Sequence, residues 1–390
     1  MVETFCLLIC LGRLEYIQDH ILPQFKDVQA SPVVSPHSLV NKRVFPVVNE
    51  SASPIKSVAL SLHYEIPELG LTYLRCLEYA KQIGASHVTL VVQASMKNIQ
   101  SSEIRLSGEE STPISVVKKV LHLADKLKLK VILFPVLWIE QRGVDEWRGV
   151  IHPDNRDTWW SSYESWLNIL VDIANEYDVD YLSIGSELSS MESDEGRWRA
   201  LIRRINSMYR GKLFYSSNWD HFTEVPFWDQ LDLIGLTAYF PLEVEYIDSQ
   251  AQLQSVKAKG NRINIRVKNM IERWQYIKLS LLEWLGESKY KKKLFFTELG
   301  YPSQKGGATK PWDYLQNTEV DLEVQKAAFL AFRKVWVDFE GLAGVNIWNF
   351  WGLGGPQDTW YTVRGKPAAV EIEKLFKQFT KESALFSNIK

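Results

Sequence analysis

The chain has 390 residues, a length for two or three ordinary domains unless one large architecture such as a (β/α)8 barrel absorbs it. Its 45 Lys and Arg against 47 Asp and Glu leave a formal charge of −2, with no positive excess to hold a phosphate backbone or an anionic membrane, so nucleic acid is not expected as a partner. Three cysteines (Cys6, Cys10, Cys76) make no disulfide framework and seven scattered histidines no zinc-like spacing, so neither metal nor cofactor is called for.

Residues 1–53, with Pro32, Pro36 and Pro46 and a Ser-rich middle, read as a partly irregular N-terminal extension. The apolar run Phe5 to Leu11 has Glu3 and no Lys or Arg before it, so it makes a poor secretory signal. Ile9 is bulkier than the residue a lipid-bearing Cys10 would want, and no stretch is long enough to span a bilayer. Cytoplasmic and exported locations both stay open, as does the oligomeric state.

From residue 54 short β-branched runs alternate with segments of helical period, the pattern of a parallel sheet connected by helices. Strands are predicted at Ser57–Tyr64, His87–Gln93, Lys130–Trp138, Tyr181–Glu187, Lys212–Ser217, Leu231–Tyr239, Lys293–Glu298 and Ala343–Phe350. Helices are predicted near 68–82, 113–128, 159–176, 195–209, 263–286, 321–338 and 368–379, with at best one helical turn around Pro226. Eight strands make residues 54–380 a single (β/α)8 barrel, an α/β TIM-barrel domain, with 381–390 as a C-terminal tail.

Active sites of this architecture lie where strands end. Strand four ends in Glu187 and strand seven in Glu298, on opposing parts of the rim, where two carboxyls can face each other across a ligand as glycoside hydrolysis requires. One such Glu alone would read as a helix cap or a rim ion pair; two, among aromatic strand ends, point to an enzyme. Fifteen Trp beside sixteen Tyr supply flat faces of the kind on which a sugar ring can lie. Candidates for substrate contact are Asn218 and Trp219 after strand five, Tyr239 at the end of six and Trp348 at the end of eight. The long loop after strand three adds Trp147, Arg148 and Trp159, where Arg148 either holds substrate or a carboxylate or pairs with Asp145 or Asp154. Trp348 has packing between strand and helix as its alternative role. Trp166, Trp198, Trp274, Trp284 and Trp336 lie inside helical segments and are assigned to packing.

The order of these pieces resembles glycoside hydrolase family 113, retaining mannan-degrading barrels. The likeness covers most of residues 54–380. It is carried by Trp147-Arg148-Gly149, Trp159 to Tyr163, Gly185-Ser186-Glu187-Leu188, Gly235 to Leu242, Thr297 to Ser303 and Pro311-Trp312-Asp313-Tyr314. The resemblance implies Glu187 as acid/base, Glu298 as nucleophile, Tyr239 as the hydrogen-bond donor to the nucleophile and Trp348 as the floor of the sugar subsite. It adds Trp312 to the aromatic row, which with Trp351 is long enough for an open groove and endo action on a β-1,4-mannan-like chain. Two departures stand out: Ser186 where many members of the clan have Asn, and Phe134-Pro135-Val136 where the family-like pattern is Lys-Pro-His. They keep two alternatives in view, another β-glycan such as glucan or xylan, or a barrel that binds carbohydrate without cleaving it. Double displacement further predicts a resting enzyme with Glu187 protonated by a raised pKa and Glu298 ionised.

Overall fold

The computed structural model describes residues 53–63, 67–243, 259–315, 318–350 and 354–387. The expectations for residues 1–52 and for Trp351 fall outside them. Eight parallel strands close into a barrel in chain order, and β1 pairs with β8 through Ser57 opposite Asn346. The strands are β1 (Ile55–Ser61), β2 (His87–Met96), β3 (Lys130–Ile139), β4 (Tyr181–Ser186), β5 (Lys212–Ser217), β6 (Leu233–Thr237), β7 (Lys293–Leu299) and β8 (Leu342–Ile347). Between and after them run α1 (Pro67–Gln82), α2 (Ile114–Lys126), α3 (Arg156–Glu176), α4 (Glu195–Met208), α5 (Lys259–Glu287), α6 (Leu322–Trp336) and α7 (Ala368–Ser387). The β5–β6 connection holds only two short 3-10 turns, Phe222–Glu224 and Trp228–Gln230.

Element ends shift for local reasons. Helix α3 starts at Arg156 rather than 159 because the Asn155 side chain accepts from the Thr158 amide at 2.9 Å and caps the first turn. Helix α7 continues through Ser387, so most of the expected tail is helical. Strand β6 stops at Thr237, which leaves Tyr239 on irregular backbone at the rim. In the middle of β6 a side chain has no room: a Cβ on Gly235 would fall 2.2 Å from the Tyr215 carbonyl of β5.

Two apolar layers result. Between sheet and helices lies the larger, in which Trp166, Trp198, Trp274 and Trp336 are buried and Trp284 packs from the margin, Phe222 lying edge-on to it at 4.8 Å. Inside the barrel, Ile55, Ala59, Val91, Ile132, Phe134, Val136, Phe214, Leu233 and Phe295 form a second cluster, with Trp348 packed against it. Phe134 stacks on Phe214 at 6.1 Å, and Phe295 meets Phe214 edge-on at 5.3 Å. Each fully buried ring of this size contributes about 1.5–3 kcal/mol by leaving water. Phe134 and Val136, expected as an altered rim, therefore belong to the packed interior. Buried hydroxyls pair with each other inside the sheet, Ser57 with Thr89 at 2.9 Å and Ser216 with Thr297 at 2.6 Å, so this polar content carries little desolvation penalty. No helix among the described residues is long and apolar enough to cross a membrane.

Candidate active site

Glu187 is the first residue past β4, and its φ of +53° lies in the left-handed region that a residue with a Cβ adopts at a cost of about 1–2 kcal/mol. Hydrogen bonds on both sides hold it there. The Glu187 amide donates to the Ser216 carbonyl at 2.8 Å, and the Leu188 amide donates to the Tyr215 hydroxyl at 2.8 Å. That hydroxyl in turn donates to Glu192 Oε1 at 2.7 Å, and His221 Nε2 stands 3.2 Å from Glu192 Oε2. Burial raises the Glu192 pKa, and the hydrogen bond to Glu192 raises that of His221. The turn leaves the Glu187 carboxyl buried between Arg148 Nη2, 2.7 Å from Oε2, and Thr237 Oγ1, 2.9 Å from Oε1. Thr237 Oγ1 also lies 3.3 Å from Asn218 Oδ1, which brings that candidate to the same place. Arg148 thus partners a carboxylate, and it is Glu187 rather than Asp145 or Asp154.

Glu298 lies within β7 at a register irregularity against β6, where Thr237 pairs with it. It is buried; Tyr239 donates its hydroxyl to Oε2 at 2.7 Å, and Ser186 Oγ lies 3.5 Å from Oε1. Burial, reinforced by the charge of Glu187, raises the Glu298 pKa to about 8 against the lowering effects of Arg148, Tyr239 and Ser186. Double displacement predicts the raised pKa at Glu187, whereas the raise found in this structure is that of Glu298. The cause is burial: Glu298 is 2% exposed in the barrel mouth, and the Arg148 guanidinium donates to Glu187.

The aromatic candidates divide. Trp348 is half-buried over the interior cluster, its ring 6.5 Å from Phe134 in an edge-on contact, so it closes the barrel and keeps an accessible part. The Trp147 ring lies over Gly149, where a Cβ would come within 2.2 Å of it. Trp312 is partly buried and stacks at 5.8 Å on Trp219, which it covers together with Phe240. Trp219 is consequently a buried support, 6% exposed, rather than an open platform. Trp159 is a correction. It is fully buried, stacks on Tyr163 at 4.9 Å and points its Nε1 at Met96 Sδ, so no face remains for a sugar.

Sequence reading missed Thr237, Tyr215, Glu192 and Trp138. Trp138 follows Ile132, Phe134 and Val136 at the strand period and carries the inward side of β3 up to the rim, where the Arg142 guanidinium lies 4.2 Å over its ring. Period-two counting would have found it. The other three were out of reach because their partners are distant in sequence. Among the described residues no group of three His, Cys, Asp or Glu side chains is gathered as a metal ion would require.

The family model described as Glycoside Hydrolase Family 113 matches residues 74–354. Among solved structures, a GH113 β-mannanase from Alicyclobacillus acidocaldarius in complex with ManMIm superposes with a TM-score of 0.70 at 24% identity, over 84% of this chain and 98% of that one. A second GH113 β-1,4-mannanase gives 0.67 at 22% identity, over 84% and 99%. At such identities the structural likeness concerns the fold. No curated protein matches the chain in sequence.

Proposed function

Because the chain belongs to glycoside hydrolase family 113, we propose that it cleaves β-1,4-linked mannan chains internally, by a retaining double displacement in which Glu298 is the nucleophile and Glu187 the acid/base. The observation that carries this reading is a pair of buried carboxyls at the ends of β4 and β7 held by unlike partners. Arg148 and Thr237 hold Glu187, while Tyr239 and Ser186 hold Glu298. In the first step Glu298 Oε1 or Oε2 attacks the anomeric carbon as Glu187 gives its proton to the departing oxygen. In the second, Glu187 takes a proton from the water that releases the sugar.

The first step needs a proton on Glu187 and none on Glu298, and the place of that proton decides readiness. While it sits on Glu298 the nucleophile is blocked. Moving it to Glu187 removes the negative charge that raises Glu298, and the Tyr239 hydroxyl then donates to an ionised carboxylate. Substrate entry favours that arrangement, since the leaving oxygen is an acceptor for a proton on Glu187. Arg148, already on Glu187 Oε2, keeps the carboxyl directed as the proton moves.

The test is an assay for new reducing ends on β-mannan, β-glucan, xylan and galactan, with the anomer of the first product read by NMR. Hydrolysis of β-mannan with release of the β-anomer is expected. An α-anomer overturns the double displacement, cleavage confined to glucan or xylan overturns the mannan reading, and binding without cleavage on every glycan overturns the enzyme.

A further inference from the structure

A buried cation in the β8–α7 connection fixes one point of the rim. Lys366 Nζ has a fully buried side chain and donates to Asp358 Oδ1 at 2.7 Å, to Ser303 Oγ at 2.7 Å and to the Trp360 carbonyl at 2.9 Å. Burying an ammonium is costly unless its hydrogen bonds are satisfied, and here they are. The same Trp360 carbonyl lies within 3.1 Å of Ser303 Oγ and 3.4 Å of Gln325 Nε2, and the Trp360 amide donates to Asp358 Oδ1 at 2.8 Å. The next residue is tied as firmly, Tyr361 donating to the Pro311 carbonyl at 2.6 Å and accepting from Gln325 at its own carbonyl.

What this clamp presents is an indole. Trp360 is 39% exposed although both of its backbone polar groups are bonded. It is connected to the reacting centre by rings: Tyr239, the donor to Glu298, lies 6.0 Å from Tyr361, Tyr361 lies 5.7 Å from Tyr314, and Tyr314 meets Trp360 edge-on at 5.7 Å. An edge-on neighbour supports an indole without covering both of its faces.

We propose that Trp360 is a preformed stacking platform for a hexopyranose unit of the glycan chain lying beyond the units joined by the cleaved bond. This inference rests on the glycosidase reading and assigns a subsite that reading does not name. A β-linked hexose offers an apolar C–H face ringed by hydroxyls, which an indole receives through contact area rather than charge. Rigidity at Trp360 removes the ordering cost that a mobile loop would impose on binding. Binding at such a distance lends its energy to the reacting centre, so it registers in turnover of long chains.

The experiment compares β-1,4-mannohexaose with 4-nitrophenyl β-mannoside for wild type, Trp360→Ala and Trp360→Phe. Trp360→Ala is expected to lower kcat/KM on the hexasaccharide about tenfold, the effect of losing one good stacking contact. Its rate on the single-sugar glycoside should stay within about twofold, and Trp360→Phe should recover most of the loss. An unchanged ratio of long-chain to short-chain rates in Trp360→Ala overturns the platform, as does an equal fall on both substrates. Asp358→Asn, which weakens the clamp but keeps the indole, should lose part of the long-chain preference with Tm lowered. If wild type cleaves glucan instead of mannan, the mannan reading fails while the same two lengths of that glycan still decide on Trp360; cleavage of xylan alone overturns the hexose platform.

Discussion

The two sides of the barrel mouth hold their carboxyls by different means. On the β3–β5 side Glu187 sits on left-handed backbone among polar partners: an arginine from the β3 loop, a threonine from β6, and behind it the Tyr215–Glu192–His221 chain. On the β6–β8 side Glu298 lies within β7 at a register irregularity against β6, bounded by Tyr239 and Ser186. The first setting fixes a carboxyl by polar partners on both oxygens, as the proposed acid/base would need; the second strips water from a carboxyl, as the proposed nucleophile would need. The two carboxyls thus have separate physical settings within one mouth, and the proposed division of labour rests on that difference.

Removing either carboxyl is the largest break. Glu298→Gln should lower kcat on mannan by about 10³-fold or more, and Glu187→Gln by a similar factor where the leaving group is poor. The two should separate on an activated aryl glycoside, whose departing phenolate needs no proton: Glu187→Gln should give a burst of phenol followed by slow turnover, and Glu298→Gln no burst. Identical responses of the two variants would erase the distinction between the two sides. Next in size is Arg148→Lys, which keeps the charge and loses the planar fork, with kcat expected to fall about 10²-fold in steady-state assays.

Much of this contrast is legible in the sequence, and the part that is not has a physical reason. Glu187 and Glu298 are found because each terminates an apolar run and a barrel places such ends on one face. Trp159 misleads although the corrective signal is present: Trp159, Tyr163, Trp166 and Leu170 recur at helical spacing and are all buried, which marks the packing face of α3. The partners of the carboxyls are illegible for another reason. Arg148 lies 39 residues from Glu187 and Thr237 lies 50 away, so only closure of the barrel brings them together. The raised pKa is hidden in the same way, since composition and spacing do not reveal which of two glutamates is the deeper.

Smaller effects sharpen the comparison. Tyr215→Phe removes the acceptor for the Leu188 amide and the donor to Glu192, loosening the backbone beside Glu187 without touching Glu298. We expect kcat to fall about tenfold with KM unchanged, the mark of an interaction that matters in the transition state. The smallest effect is on stability. A carboxyl whose pKa rises from 4.5 to about 8 on folding holds a proton that the unfolded chain has released between those values, so its contribution weakens as pH rises through that window. Glu298→Gln abolishes this titration and should raise Tm relative to wild type at pH 8, by on the order of 2 °C, and by less at pH 5. An equal gain at both pH values in calorimetry would remove the protonated Glu298 from the account.

The left-handed backbone at residue 187 also bears on how such a chain would drift once it is no longer asked to catalyse. Glycine and asparagine adopt that conformation more readily than glutamate, and either would relieve the strained backbone. Of the residues able to stand there, the acid is thus among the least comfortable. Libraries of this barrel sorted for heat resistance alone should enrich glycine or asparagine at that position, whereas lineages under selection for sugar release should return to glutamate. Thermostability screens on this scaffold therefore need a coupled activity filter, because on the proposed reading the substitution that most relaxes the turn is also the one that silences it.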